Sequence, residues 1–267
     1  MKKRILLFVM LSVLCLSLTS CSSDHKNAVE NYNTAATELS NMNTALDEAV
    51  AAASSLVQSD EKALDESLRT SLETLISNTI AAKVDVPNMP KKTEDINKAT
   101  NELLAIDYAD VLKKLSDGQI ALENSIKQYA LVNNPSGAYV ITCLKNVPGV
   151  MDISAVTEDN DPNGNLGKAG GYTAAVYFSH EKVNQSEVYG STVIEKGTDC
   201  GGQIEVYETE DDANDRNEYL AVFDGSLLSS GSHTVIGTVV IRTSNELTAS
   251  QQKELEANII SALTALS

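Results

Sequence analysis

The sequence predicts an α+β protein: an antiparallel bundle of three or four helices at residues 28–133, then a small α+β domain at residues 136–267 with a four-stranded sheet and two or three helices. The first half is poor in glycine and rich in alanine and leucine, and its apolar residues recur at alternating three- and four-residue steps, as in packed helices. The second half is rich in glycine and contains short segments of alternating apolar and polar residues, as in strands with one buried face. We place the domain boundary at residues 133–137, where the composition changes.

The helical half begins with a long apolar stripe that contains one polar residue. Asn43 occupies a position of this stripe, where an asparagine either fixes the register of packed helices or faces solvent. Asp60 is predicted to cap the N-terminus of the second helix. Short connections between long amphipathic helices favour an antiparallel bundle. The predicted helical segments are at residues 29–57, 64–79, 96–104 and 108–129.

The second half is predicted to combine short strands with capped helices. Thr209 and Thr248 each precede a helical segment and have a partner three residues later that completes a capping box. The apolar stripe of the last helix ends at Leu266 and would cover the sheet. The last predicted strand is apolar almost without alternation, and we expect it in the centre of the sheet. The predicted strands are at residues 151–158, 172–179, 203–208 and 234–241.

The first 21 residues have the three parts of a secretion signal. Residues 2–4 are basic, residues 5–18 form an apolar run interrupted by two serines, and Leu18-Thr19-Ser20-Cys21 supplies the cleavage site. The apolar run is too short for a membrane-spanning helix, which needs about 20 residues. The segment resembles the lipobox signal of bacterial lipoproteins, which implies removal of residues 1–20, lipid on Cys21 and a lipidated tether at residues 21–27. An ordinary secretory signal is the alternative.

Location and charge limit the partners. Lipid on Cys21 would anchor the chain at the extracytoplasmic face of the bacterial cell membrane, since two or three acyl chains hold a protein stably. The formal charge is −17, and removal of residues 1–20, which contain three cations and no acid, would make it −20. Such a chain repels nucleic acid and anionic headgroups, so we expect no nucleic-acid partner. The absence of tryptophan also disfavours a carbohydrate-stacking module.

Cysteine usage predicts one disulfide. Of the four cysteines, Cys15 lies in the signal and Cys21 would carry the lipid, which leaves Cys143 and Cys200. Two thiols in an oxidising compartment favour a disulfide. Two buried free thiols are the alternative, because the sequence does not give the geometry that a disulfide requires.

An acidic turn in the second half matches part of a calcium loop. Asp159, Asp161, Asn163 and the glycine that follows Asn163 fit positions 1, 3, 5 and 6 of an EF-hand loop, and Asn165 would offer its carbonyl at position 7. Gly170 stands at position 12, where an EF-hand has a bidentate glutamate. The turn is therefore either a calcium site completed by a distant carboxylate, with Ca²⁺ as the one candidate cofactor, or a polar turn that needs these residues for backbone reasons.

Motifs of known catalytic sites are few. The chain has no HExxH pair, no GxSxG elbow and no glycine-rich phosphate loop. Ser179 and Lys182 fit the SxxK pattern of penicillin-binding proteins, but the other motifs of that family are not present in the required form. His180 and His233 have no partner at a recognisable spacing, and a lone histidine is more often a polar surface residue than a base. The sequence therefore names no catalytic residue and disfavours an enzyme.

Several turn and strand motifs run through residues 136–267. They are Asp159-Asn160-Asp161-Pro162-Asn163-Gly164, Gly170-Gly171-Tyr172, Lys196-Gly197-Thr198-Asp199, Gly201-Gly202, Tyr219-Leu220 with Phe223-Asp224-Gly225, Gly231-Ser232-His233 and Gly237-Thr238-Val239-Val240-Ile241-Arg242-Thr243. With these motifs the segment resembles a domain of lipoproteins and surface proteins of Gram-positive bacteria, often described as extracellular-matrix-binding homologues. The resemblance implies a secreted module of the cell surface, and it transfers no catalytic residue.

Signal, composition and motifs together favour a cell-surface binding or structural module. Its expected partners are the membrane, through the lipid anchor, and a protein of the cell envelope or the extracellular space. A cell-wall-modifying enzyme is one alternative, since many active sites have no linear signature. An accessory lipoprotein of a transporter or sensor is another.

Overall fold

The computed structural model describes residues 21–225 and 231–266. In these ranges the protein is α+β, as the sequence predicts, with an antiparallel sheet of five strands. The signal predicted at residues 1–20 lies outside the described residues. Residues 21–27, predicted as a tether, belong to the first helix. Among the described residues, no helix combines the length and the apolar character needed to cross a membrane.

Within the described ranges, five helices come first along the chain, and the five strands are then interspersed with three more helices. The helices are α1 Cys21–Val57, α2 Ser67–Ala82, α3 Thr93–Leu104, α4 Ala109–Val132, α5 Gly137–Leu144, α6 Val193–Lys196, α7 Glu210–Ala221 and α8 Ala249–Leu263. The strands are β1 Val150–Ala155, β2 Ala174–His180, β3 Gly201–Val206, β4 His233–Ile236 and β5 Val239–Thr243.

The chain divides into two compact units. Among the described residues, the first unit comprises residues 21–54 and 74–116, and the second comprises residues 55–73, 117–225 and 231–266. The second unit therefore takes in residues 55–73 and 117–135 together with the segment predicted as the α+β domain.

The core of the first unit follows the predicted stripe of α1. Buried positions recur every seven residues, at Tyr32, Leu39, Leu46 and Ala53, which is the spacing of a helix that packs along one side. The first three of these residues share a cluster with Ile96 of α3. The apolar stripe of α1 is therefore a packing surface.

Asn43 holds the segment that follows α2. Its side-chain amide donates to the Val84 carbonyl at 2.9 Å, and its side-chain oxygen accepts from the Tyr108 hydroxyl at 2.9 Å. The same hydroxyl accepts from the Val84 amide at 2.8 Å. The Asn43 amide is thus bonded at both ends within the protein and is not turned to solvent, but its partners Val84 and Tyr108 lie outside the helices, so a role in fixing helix register stays a prediction.

The second helix starts later than predicted, so the prediction for the helical half holds only in part. Residues 59–66 are not helical, and Asp60 does not cap a helix that begins at Ser67. The Asp65 carboxylate accepts from the Ser67 amide at 3.0 Å, and the Asp65 amide donates to the Ser125 hydroxyl at 2.8 Å. These bonds pair the backbone amides of residues 65 and 67 without a preceding helical turn. The leucine spacing gave no sign of these bonds.

The sheet has the strand order β1-β2-β3-β5-β4, and each neighbouring pair is antiparallel. The edge strands are therefore β1 and β4. The register between β1 and β2 is interrupted between Val150 and Ile153, and β4 has four residues.

A hairpin takes the place of the single strand predicted at residues 234–241, so the predicted count of four strands is wrong. Ile236 pairs with Val239 across a turn of two residues, Gly237 and Thr238. Gly237 has a φ of 56°, which glycine adopts without strain and which a type II′ hairpin turn requires at its first central position. Both arms are apolar, so the sequence shows little sign of the turn between them.

Both faces of the sheet are buried, whereas the sequence predicted one buried face. On the first face, Phe178 of β2 and Ile204 of β3 pack in a cluster that includes residues of α5 and α8. On the second face, Tyr177 and Val240 pack with residues of α7. All six residues of β3 are buried. The second face also carries buried polar side chains, and these form the candidate site.

The predicted caps of the last two long helices are confirmed. Thr209 and Thr248 each accept a hydrogen bond from the amide three residues later. The full capping box forms only at Thr248, where the Gln251 side chain bonds back to the Thr248 amide; at Thr209 the hydroxyl instead donates to the Asp212 carboxylate. The buried stripe of α8 ends with Leu263, the last helical residue. Leu266, which the sequence placed on this stripe, is exposed because the helix has already ended.

Candidate ligand-binding site

A row of polar side chains crosses the second face of the sheet. Tyr177 of β2 pairs with Gln203 of β3, and Gln203 pairs with Arg242 of β5. Arg242 in turn pairs with His233 of β4. Directly paired residues of antiparallel strands point to the same face, so the register places these four side chains side by side. Gln203 is fully buried, and its side-chain oxygen accepts from Arg242 Nη1 at 2.9 Å.

Glu205 lies on the same face of β3, two residues after Gln203, and its carboxylate accepts hydrogen bonds from several donors of the site. The residue is 0% exposed. Its carboxylate accepts from Arg216 Nε at 2.8 Å and from Arg216 Nη2 at 3.0 Å, the bidentate geometry that suits a guanidinium. Arg242 Nη1 at 3.2 Å and the Tyr207 hydroxyl at 2.9 Å donate to the same carboxylate. This pairing compensates for the removal of the charges from water.

The spacing of residues on α7 brings Arg216 against the sheet. Ala213 and Leu220 of this helix are buried, and Arg216 and Asn217 follow Ala213 by three and four residues, on the same side of the helix. Burial on its own would lower the pKa of Arg216, but the hydrogen bonds and the charge of Glu205 outweigh it and raise the pKa. Arg216 is therefore a fixed cation on the inner side of α7.

His233 ends the polar row at the edge strand β4. Its Nδ1 lies 2.7 Å from Oδ1 of Asn217, and its Nε2 lies 3.3 Å from Oδ1 of Asp224. The imidazole is thus bonded to α7 on one side and to the residues after α7 on the other.

A cavity of about 280 Å³ opens over these residues, and we call it the arginine cavity. The rings of Tyr219 and Phe223 form an aromatic part of its wall and meet edge to face, 5.2 Å between centroids. The Arg216 guanidinium lies 5.4 Å from the centre of the Tyr219 ring, a cation–π contact. The lining residues are Asn163, Arg216, Tyr219, Leu220, Phe223, Asp224, His233 and Arg242.

The turn predicted to bind calcium borders the arginine cavity through Asn163. The Asp161 carboxylate accepts from the amides of Asn163 at 3.0 Å and Leu166 at 2.8 Å, and from the Tyr172 hydroxyl. Burial opposes these bonds, but together they lower the pKa of Asp161, and the bond from Tyr172 is the largest of them. Asp161 therefore shapes the turn as an acceptor of hydrogen bonds.

Two further predicted calcium ligands, Asp159 and Asn165, belong to the same turn. Asp159 is exposed, and the Asn165 carbonyl accepts from the Lys168 amide at 3.2 Å. Within the described ranges, no group of three or more His, Cys, Asp or Glu side chains is suited to hold a metal. The bonds of Asp161 are those of a polar turn, and a calcium site at Asp159, Asp161, Asn163 and Asn165 stays a prediction.

Cys143 and Cys200 are both buried and free. Cys143 belongs to the core cluster on the first face of the sheet. The Cys200 thiol contacts the carbonyls of Phe178 at 3.4 Å and Gly197 at 3.2 Å. Burial raises the pKa of Cys200 to about 11 and also raises the pKa of Cys143. The structure thus contains the second of the two predicted states, a pair of buried thiols.

Ser179 and Lys182 bond to different partners. The buried Ser179 hydroxyl accepts from the Asp152 amide at 3.0 Å, while the Lys182 ammonium lies 3.5 Å from a Glu254 carboxylate. His180 is 5% exposed, and its Nδ1 accepts from the Lys182 amide at 3.2 Å. Burial lowers the pKa of His180. These side chains have structural roles in the end of β2 and the turn that follows it.

The arginine cavity has the chemistry of a binding site. Its guanidiniums stay charged at physiological pH, and Glu205 beneath them is occupied by four donor atoms. The arrangement can therefore orient and neutralise a ligand.

Sequence reasoning missed Glu205, Arg216 and Arg242 as site residues. Signals for two of them were present, since Glu205 alternates with apolar residues in a strand and Arg242 directly follows an apolar run. A charged side chain at such a position is rarely buried unless it is paired. The partner of each charge, however, depends on the strand register and on the docking of α7.

Comparison with protein-family models, with curated proteins and with solved structures found no match to this chain.

Proposed function

We propose that this protein is a lipid-anchored binding protein of the bacterial cell envelope, with the arginine cavity as its ligand site. The lipobox that ends at Cys21 supports an extracytoplasmic, membrane-anchored location. The resemblance of residues 136–267 to a domain of Gram-positive surface proteins supports a surface role. In this proposal the helical half, predicted as an antiparallel bundle, is the structural part of the module, and its partners are the membrane and a ligand of the envelope or extracellular space.

The arginine cavity is the observation that carries the proposal. Moving a charge out of water costs several kcal/mol per ion, and apolar residues of similar volume are often as stable or more stable at such positions. Arg216 and Arg242 are nevertheless placed where they line an open cavity, with a fully buried Glu205 holding both guanidiniums. An arrangement that is costly for folding and faces a cavity supports a binding role.

The anchor is tested in cells that produce the full chain and are fed an alkyne-labelled fatty acid. The protein is expected to carry the label and to sediment with membranes. Cys21→Ser should lose the label and the membrane association, whereas Cys15→Ser, in the same signal, should keep both. Label retained by Cys21→Ser would remove the lipoprotein part of the proposal.

Binding is tested by thermal unfolding of residues 22–267 with purified fragments of the cell envelope, because a ligand of the folded state raises the melting temperature. A ligand present at 100 times its Kd raises the free energy of unfolding by roughly 2.7 kcal/mol. Tyr219→Ala should abolish the rise, since this ring lies in the cavity wall and is 56% exposed. Tyr189→Ala, at a tyrosine that is 95% exposed and is not one of the lining residues, is the control. A rise equal in all three proteins, or absent from all three, would contradict the proposal.

A further inference from the structure

The charge of the arginine cavity is unusual for this chain. The sequence contains four arginines, and two of them, Arg216 and Arg242, line this one cavity. Their side chains are 19% and 11% exposed. The whole chain has a formal charge of −17, so two arginines at one cavity stand out against an acidic background. Guanidinium groups that line a cleft with low-dielectric walls attract anionic ligands.

We propose that the arginine cavity binds an oxyanion, a carboxylate or a phosphate monoester, that is carried on a small flat group. This inference rests on the proposed binding role of the cavity and names the chemical class of the ligand. Carboxylate and phosphate share the same recognition chemistry, since both accept paired hydrogen bonds from the planar fork of a guanidinium.

Two acids, Glu205 and Asp224, match the two guanidiniums in number, and it is the position of the acids that leaves the cavity wall cationic. Glu205 balances one of the two guanidiniums and lies on the sheet side, fully buried. It engages Arg216 through Nε and Nη2, so the Nη1 corner of that guanidinium is not used by Glu205. Asp224, the acidic residue among the lining side chains, is 56% exposed and lies 3.3 Å from His233. Its charge is screened by water more than the buried charges are.

The apolar part of the wall selects the body of the ligand. Tyr219, Leu220 and Phe223 lie on α7 or directly after it and line the cavity. Aromatic edges and faces favour flat or apolar groups. The volume of about 280 Å³ is just below the ~300–1,000 Å³ typical of small-molecule sites, so the cavity takes a small ligand or one end of a larger one. Asn163 and His233 supply polar groups beside the charged wall.

The test is isothermal titration of residues 22–267 with four probes: benzoate, phenyl phosphate, inorganic phosphate and benzamide. Benzoate or phenyl phosphate is expected to bind saturably, and whichever binds more tightly identifies the source of the oxyanion. Benzamide has the same ring without the charge and should bind at least about tenfold more weakly, the lower end for losing a hydrogen bond to a charged group. Inorganic phosphate shows how much of the affinity comes from the ring.

Two variants assign the binding to this cavity. The double variant Glu205→Gln with Arg216→Gln removes one buried charge of each sign, so the net charge of the cluster is unchanged. We therefore expect it to be less destabilised than Glu205→Gln alone. It should lose at least about tenfold in oxyanion affinity. Tyr219→Ala, at an exposed ring, should weaken benzoate and leave inorganic phosphate unchanged, and Tyr189→Ala should change neither.

Two results would overturn the inference. Equal affinity for benzamide and benzoate would show that the charge is not recognised, and no saturable binding of either oxyanion probe at millimolar concentration would show that the class is wrong. If the probes fail while envelope fragments still stabilise the protein in a Tyr219-dependent way, the binding function stands and the oxyanion class falls. If both fail, the proposed function falls with it.

Discussion

Replacing Glu205 by glutamine removes one buried negative charge from beneath the arginine cavity with almost no change of shape. The carboxylate is 0% exposed and accepts from Arg216, Arg242 and Tyr207. After Glu205→Gln, both guanidiniums lose their buried counter-ion, and the amide nitrogen of the glutamine would face donors. The variant should therefore be strongly destabilised.

The size of the effect follows from the burial of the partners. Removing one member of a buried ion pair costs about 3–5 kcal/mol. Arg216 keeps 19% of its side-chain surface, so water can reach it in part, and we expect the lower end, about 3 kcal/mol. For a protein of this size, each kcal/mol shifts the melting temperature by roughly 2–4 °C. The expected loss is therefore about 6–12 °C.

The assay is thermal and urea unfolding of residues 22–267 at pH 7, with Glu208→Gln as a matched control. Glu208 is exposed, just beyond the end of β3, and its variant should stay within about 0.5 kcal/mol of the parent. Adding Arg216→Gln to Glu205→Gln should recover part of the loss, because the double variant no longer leaves that charge unpaired. A loss below about 1 kcal/mol for Glu205→Gln, or strict additivity in the double variant, would refute the reasoning.

Three further predictions concern the thiols, the buried histidine and the acidic turn. Cys143 and Cys200 should resist iodoacetamide at pH 7 in the folded chain and react fully in urea, because both are buried with raised pKa values; a disulfide detected in the intact mass would contradict this. Stability should fall as the pH drops through the unfolded-state histidine pKa of about 6.5, because burial lowers the folded-state pKa of His180 and the unfolded chain then binds the proton more readily. His180→Gln should weaken the pH dependence of the urea unfolding midpoint between pH 7 and pH 5. An unchanged pH dependence would count against a role for His180. Asp161→Ala should lower the melting temperature equally in EDTA and in millimolar calcium if the loop is a polar turn, whereas a calcium-dependent rise that Asp161→Ala abolishes would identify a metal site.

Much of the architecture can be predicted from local sequence patterns. The α+β class and the caps at Thr209 and Thr248 depend on periodicity and on residues three positions apart, and they are confirmed. The hairpin at Gly237 was missed because its two arms are equally apolar. The start of α2 was misplaced because Asp65 bonds to Ser125, a contact between residues far apart in the chain.

The candidate site could not be predicted from local patterns. Glu205 meets Arg242 across a separation of 37 residues, and the pairing depends on the register of β3 with β5. Arg216 reaches Glu205 only because α7 docks with its Ala213 side on the sheet. A sequence shows that a charge sits in an apolar strand, but it does not show which charge compensates it.

The two edge strands of the sheet affect how readily the folded protein associates with other copies at high concentration. An exposed strand edge can pair with another chain, and native proteins blunt such edges by making them short, irregular or charged. Here β4 has four residues, and the register of β1 is interrupted between Val150 and Ile153, where Asp152 lies. These edges offer a poor template for strand addition. We therefore expect the folded protein to resist edge-to-edge aggregation at high local concentration, including at the membrane surface that we propose for it.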